Sequence, residues 1–223
     1  LYPNLLDAVR IAEHAGADLI TIHLREDRRH IQDKDALDIR QYAKVLNFER
    51  ANTVAMIQFA ITLKPDFCCI VPEKREEKTT EGGLSLSSYT DKQIASLKTT
   101  ITDFRNHKIK TSLFIDPDNR SIDIAKDVGA DLVELHTGKY ANQFNTINEF
   151  ESLEEISTAS RYAHSKDLLV NVGHGLNYEN LSEICKLDHI NEVNIGHAII
   201  AQAVFTGLND AIKKIISIID NCD

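Results

Sequence analysis

Two stretches of this chain are near copies of each other: GADLITIH, from Gly16 to His23, and GADLVELH, from Gly129 to His136. Each sets a helix-ending Gly and an Asp before a short apolar run that closes on His, the pattern of one βα module used repeatedly. Two more β-rich runs also reach a histidine, LLVNVGHG (Leu168 to Gly175) at His174 and EVNIGHAI (Glu192 to Ile199) at His197. In a parallel α/β protein the carboxyl ends of the strands converge on one face. His23, His136, His174 and His197 are therefore expected around one pocket.

A chain of 223 residues with 43% hydrophobic content can bury a full core, and no Pro/Gly/Ser-rich linker divides it, so one domain over residues 1–223 is expected. The net charge of −9 argues against a general nucleic-acid surface, which needs clustered positive charge. Cys68 and Cys69 lie inside the apolar run FCCIV, Cys185 and Cys222 stand apart, and no CxxC spacing occurs. Reduced thiols in a cytoplasmic protein are the expectation. No apolar stretch approaches the roughly twenty residues that span a bilayer, so no membrane partner is expected.

Apolar residues at helical spacing, such as Ile94, Leu97, Ile101 and Phe104, alternate with candidate strands at 18–23, 45–49, 67–72, 110–116, 131–136, 168–173 and 192–196. Several of these strands are apolar on consecutive positions, as in sheets covered on both faces. An open doubly wound sheet and a closed barrel both fit this alternation. The barrel is favoured because polar residues end nearly every strand and no GxGxxG follows an early one. The chain opens Leu1-Tyr2-Pro3 and enters a helix almost at once. The expected fold is a (β/α)8 TIM barrel whose first strand is missing from this chain.

Four motifs carry chemistry. HLREDRRH sets His23 at a strand end, where an imidazole suits proton transfer, with Arg25 and His30 placed to bind an anionic group. Arg28, Arg29, Glu26 and Asp27 read as a solvated loop. Glu49 closes the strand LNFE, where partial desolvation would make it a better base; a helix-dipole role is the structural alternative. The loop VPEKREEKTTEGG carries Lys74, Arg75, Lys78, Thr79 and Thr80 before paired glycines, as a lid over a phosphorylated substrate would, or a plain surface loop. NVGHG and NIGHAII end the last two strands, the frequent phosphate site of barrels, with Gly175, Gly196 and His197 at the turns. No HxH or HExxH is present, so a metal site is not expected, and His14, His107, His164 and His189 read as surface residues.

In this order and spacing, HLREDRRH, VPEKR with TTEGG, SLFID, ELHTG, NVGHGL and NIGHAII closely resemble the pyridoxine 5′-phosphate synthase family over essentially the whole chain. The resemblance implies a (β/α)8 barrel, assembly as a homo-octamer, and condensation of 3-amino-2-oxopropyl phosphate with 1-deoxy-D-xylulose 5-phosphate without metal or organic cofactor. It implies His23 and Glu49 as proton acceptors, His174 as proton donor, and Glu134 as an aid to proton relay. Arg25, His30, Thr79, Gly175 and the Gly196–His197 pair match ligands of substrate or phosphate. Family members open with a strand carrying Asn-x-Asp-His, which this chain lacks, and NFERA around Glu49 departs from its counterpart. A truncated or partial sequence is expected ahead of a genuine seven-strand variant, along with aggregation or partial disorder from the unpaired edge. The competing classes are a phosphosugar isomerase or aldolase on the same barrel and a non-catalytic phosphate-binding protein.

Overall fold

The computed structural model describes residues 3–73 and 82–222. Helix α1 (Leu5–Ala15) leads into β1 (Ile20–His23), followed by α2 (Asp33–Tyr42), β2 (Leu46–Arg50), α3 (Val54–Leu63), β3 (Phe67–Ile70), α4 (Asp91–Asn106) and β4 (Lys110–Ile115). The second half runs α5 (Asn119–Val128), β5 (Leu132–His136), α6 (Gly138–Gln143), α7 (Glu149–Ser165), β6 (Leu169–Gly173), α8 (Leu181–Cys185), β7 (Ile190–Asn194), α9 (His197–Thr206) and α10 (Leu208–Asp220). All seven strands fall within two residues of the bounds their sequence predicts.

The strands form one parallel sheet in the order β1-β2-β3-β4-β5-β6-β7. The sheet curls until its two end strands meet through side chains: Thr21 Oγ1 on β1 donates to Asn194 Oδ1 on β7 at 2.9 Å. Among the described residues no backbone ladder joins these two strands. The architecture is thus a barrel-type wall of seven strands, as the sequence predicts.

The two copies of GADL explain how each module starts. Gly16 and Gly129 end α1 and α5 at φ of 110° and 87°, where a side chain would strain the backbone, and their N–H groups return to the last helical turn. Asp131, two residues further on, accepts the Thr111 N–H of the neighbouring strand at 2.9 Å; Asp66 does the same for Leu46 N–H at 2.9 Å. An Asp at a strand start therefore satisfies a backbone donor next door.

Alternation along each strand then sorts side chains by face. Ile22, Leu46, Phe48 and Cys68 pack outward with Met56 of α3 and Ala36 of α2, while Leu113, Ile115, Val133, Leu135, Val170 and Val172 pack with Leu97, Ile122 and Ile156 of α4, α5 and α7. The apolar core is therefore a shell between sheet and helices. The inner face carries Thr21, Asn47, Glu49, Cys69, Ser112, Glu134, Asn171, Glu192 and Asn194, far more polar than the branched aliphatics common inside such barrels. Among the described residues no helix is long and apolar enough to cross a membrane.

Candidate active site

Strand register assembles the site. His23 pairs with Glu49 across β1 and β2, and Glu49 with Cys69 across β2 and β3. On the far wall Phe114, Glu134 and Asn171 follow one another across β4, β5 and β6, Asn171 pairs with Glu192 of β7, and His136 pairs with Gly173. A cavity of about 1140 Å³ opens between these walls and is lined by His23, Glu49, Val71, Phe114, Glu134, His174, Gly175, Gly196 and His197. It continues between β1 and β7 to apolar residues of α1 and α10, among them Leu5, Ala8, Ile212 and Ile216.

At the β1–β2 rung, His23 Nδ1 lies 3.9 Å from Glu49 Oε2, and His23 Nε2 lies 3.7 Å from Glu73 Oε2. Both separations exceed a hydrogen bond. Burial, reinforced by the positive charges of Arg25 and His30, lowers the His23 imidazole to about 4, so it is neutral at pH 7. The Glu49 side chain is 22% exposed, and burial pushes its carboxyl up to about 7. Arg25 is buried, with its guanidinium 3.5 Å from Asp27 and 4.0 Å from Glu73. His30 is exposed in the same loop.

Deeper in the barrel, burial and then the charges of Glu49 and Glu192 raise the Glu134 carboxyl well above the carboxylate range. Asn194 Nδ2 bridges two of these acids, at 3.2 Å from Glu134 Oε2 and 3.1 Å from Glu192 Oε1, and Asn171 Nδ2 donates to Glu192 Oε1 at 3.0 Å. Cys69 Sγ approaches Glu134 Oε2 at 3.9 Å. A side chain on Gly173 would place its Cβ 2.3 Å from Glu134 Oε1, so only glycine there leaves room for the carboxyl.

His174 follows at φ 81°, a left-handed conformation rare for a non-glycine residue, and its carbonyl accepts the Thr137 hydroxyl at 2.7 Å. Burial, then the charge of His136, lowers its imidazole. His136 Nδ1 lies 3.2 Å from Asp116 Oδ1, and the His136 and His174 rings are 5.0 Å apart. Gly196 caps α9 and His197 begins it, both exposed at the cavity mouth, where a helix N-terminus favours an anion.

Of the residues singled out in the sequence, His23, Glu49, Glu134, His174, Gly175, Gly196 and His197 share the cavity. Arg25 and His30, on the β1–α2 loop, are not among its lining residues, nor is His136, which the sequence placed at this pocket but which is buried at the end of β5 against Asp116; Thr79 lies outside the described residues. Sequence reasoning missed Glu73, Asp116, Glu192 and Asn194. Strand-end position was available for Asp116, in SLFID, and for Asn194, in NIGH. Among the described residues no group of three or more His, Cys, Asp or Glu is arranged to hold a metal ion.

A parallel curled sheet with acid–base side chains and Gly-His turns at its carboxyl mouth defines a barrel-type protein with a cavity able to exchange protons with a bound molecule. Residues 1–221 match the family described as Pyridoxal phosphate biosynthesis protein PdxJ, and the chain belongs to that family. It is 48% identical over 223 residues to a pyridoxine 5′-phosphate synthase of Sulfurihydrogenibium sp. (strain YO3AOP1), covering 98% of this chain and 90% of the relative. It is 46% identical over 220 residues to one of Thioalkalivibrio sulfidiphilus (strain HL-EbGR7), covering 98% and 88%. Among solved structures it resembles native KDPGal, with a TM-score of 0.68 at 10% identity over 100% of this chain and 91% of the other. A phosphoribosyl anthranilate isomerase from Thermus thermophilus gives a TM-score of 0.62 at 11% identity over 98% and 95%. These two likenesses show the fold.

Proposed function

We propose that this chain is a pyridoxine 5′-phosphate synthase, joining 3-amino-2-oxopropyl phosphate to 1-deoxy-D-xylulose 5-phosphate and releasing phosphate and water. The observation that carries the reading is the inverted pair on one wall of the cavity, a neutral His23 beside a Glu49 carboxyl near 7, facing the His174 imidazole opposite. Imine formation, enolisation, ring closure and aromatisation each move protons, so a base that titrates near neutrality is well matched to them. Glu49 and His23 take protons, His174 returns one, and Glu134, hydrogen-bonded through Asn194 to Glu192, relays them within the barrel. The phosphates fall to the α9 N-terminus with Gly175, Gly196 and His197, and to Arg25, His30 and Thr79. No resident metal or cofactor is invoked.

A Schiff-base aldolase is the weaker reading, since the cavity lining includes no lysine among the described residues. The assembly is proposed as a homo-octamer, in keeping with the exposed apolar side chains of α9, Val204 at 77% and Phe205 at 85%. A single domain and a cytoplasmic location complete the proposal; the latter accords with the free, buried thiols of Cys68 and Cys69. Incubation with the two phosphorylated substrates tests it. Mass spectrometry is expected to find pyridoxine 5′-phosphate with stoichiometric phosphate release; neither product appearing would overturn it.

A further inference from the structure

We propose that Asp116 and His136 form a positioning pair for His174, fixing the orientation of the imidazole that donates in the reaction. The inference rests on the function proposed above and assigns two residues outside the acid–base set. His136 ends β5 with 8% exposure, and its Nδ1 sits 3.2 Å from Asp116 Oδ1. Asp116 is itself held, because the same oxygen accepts the Gly83 N–H at 3.0 Å. The hydrogen bond from His136 keeps the Asp116 carboxyl below its usual range, so it stands as an anion and an acceptor.

An anionic acceptor at Nδ1 keeps a proton on that nitrogen in either charge state of His136. Its Nε2 is buried and, among the described residues, has no hydrogen-bond partner. Packing fixes the ring as firmly as the hydrogen bond does. Phe114 meets His136 edge to face at 5.2 Å, and Phe114 lies 6.5 Å from the His174 ring. Both imidazoles close over Gly138, where an added Cβ would lie 2.5 Å from His136 Nε2 and 3.4 Å from His174 Cδ2. Next along the chain, Thr137 Oγ1 donates to the carbonyls of Gly173 and His174, each at 2.7 Å. One short segment therefore holds both the left-handed backbone and the ring of His174.

The groups facing His174 are Phe114 and, behind His136, Asp116 from the β4 side, and His136, Thr137 and Gly138 from the β5 side. His136 supplies the like charge that depresses the His174 proton affinity. Replacing it by a neutral amide is expected to raise that affinity.

The test uses His136→Gln and Asp116→Asn in the full chain, with two readouts. In the ¹⁵N NMR titration of the His174 ring, His136→Gln is expected to move the midpoint upward by about half a pH unit or more. In turnover, each variant is expected to lose roughly 10- to 100-fold in kcat with little change in either KM, because orientation is lost and binding is kept. The alkaline limb of the His136→Gln profile should move up with the NMR midpoint. An unmoved His174 midpoint in His136→Gln overturns the proposal, as does a near-normal kcat in Asp116→Asn. A wild-type chain that makes no product would count against the function proposed above, while the NMR titration would still decide the positioning pair.

Discussion

Glu49 and His23 face each other across one rung of the β1–β2 ladder with their ordinary proton affinities reversed, about 7 for the carboxyl and about 4 for the imidazole. Between those values a proton resides on the acid rather than the base. Glu49→Gln and His23→Asn are therefore each expected to lower turnover by about two to four orders of magnitude while substrate still binds, measured by steady-state kinetics with a binding titration alongside. Stability follows the same groups. The folded Glu49 carboxyl holds its proton to about 7 and the unfolded one releases it near 4.5, so the native state loses stability as pH rises from 4.5 to 7. Glu49→Gln should be more stable than the wild type at pH 8 by roughly 1–3 kcal/mol and nearly equal at pH 4, read from denaturant midpoints. His23 acts in the other window, since its folded value is depressed and stability is lost as pH falls from 6.5 to 4. Arg50, one residue beyond Glu49, faces outward and is fully buried; its guanidinium lies 4.7 Å over the Phe104 ring, Nη1 donates to Ala51 O at 2.8 Å and Asn52 Oδ1 at 3.2 Å, and Nη2 has no hydrogen-bond partner among the described residues. Arg50→Met keeps the packing on Phe104 but removes these donors, so it is expected to cost about 1–2 kcal/mol by denaturant midpoint, and Arg50→Ala about 3 kcal/mol or more through the added cavity.

At the scale of elements, the strands were legible because their apolar runs are short, β-rich and bounded by turn residues, and because Gly16 and Gly129 mark helix ends in a repeated phrase. Their inner row was not. In strands covered on both faces the two-residue period is blurred, so nothing in INEVN singles out Glu192 as a partner of Glu134 rather than a surface acid. Helices α6 and α8, at 6 and 5 residues, are too short for a 3.6-residue period to register. Of the site, strand-end position gave His23, Glu49, His174 and the glycine turns, while the Asp116 contact to His136 spans two strands and depends on register. β6 offers a direct check on that inner row. Gly173→Ala would drive a Cβ to 2.3 Å from Glu134 Oε1 and 3.2 Å from Asn194 Cβ. It is expected to cost about 1–3 kcal/mol in stability and to displace the Glu134 carboxyl, seen as lower turnover with the fold retained by circular dichroism.

For the whole molecule, order is expected to be uneven around the sheet. Every residue of β5 is buried, whereas no residue of β7 is, and no residue of α9 is buried either. Amide exchange should therefore be slowest in β3 to β5 and fastest in β7 and α9; uniform protection around the sheet would contradict that gradient. Assembly was not legible from residue patterning, since it depends on which apolar faces the folded chain leaves open; Val204→Glu with Phe205→Glu should reduce the mass found by light scattering if α9 is an interface. One backbone angle reaches further still. His174 adopts φ 81°, which glycine accepts freely and alanine does not. His174→Gly should therefore be more stable than His174→Ala by about 1 kcal/mol, the reverse of the usual order, with both inactive. Stability alone would not select a histidine here. In a lineage released from making this product, drift at that codon is expected to run toward glycine, so the residue there would report whether a relative is still under selection for the reaction.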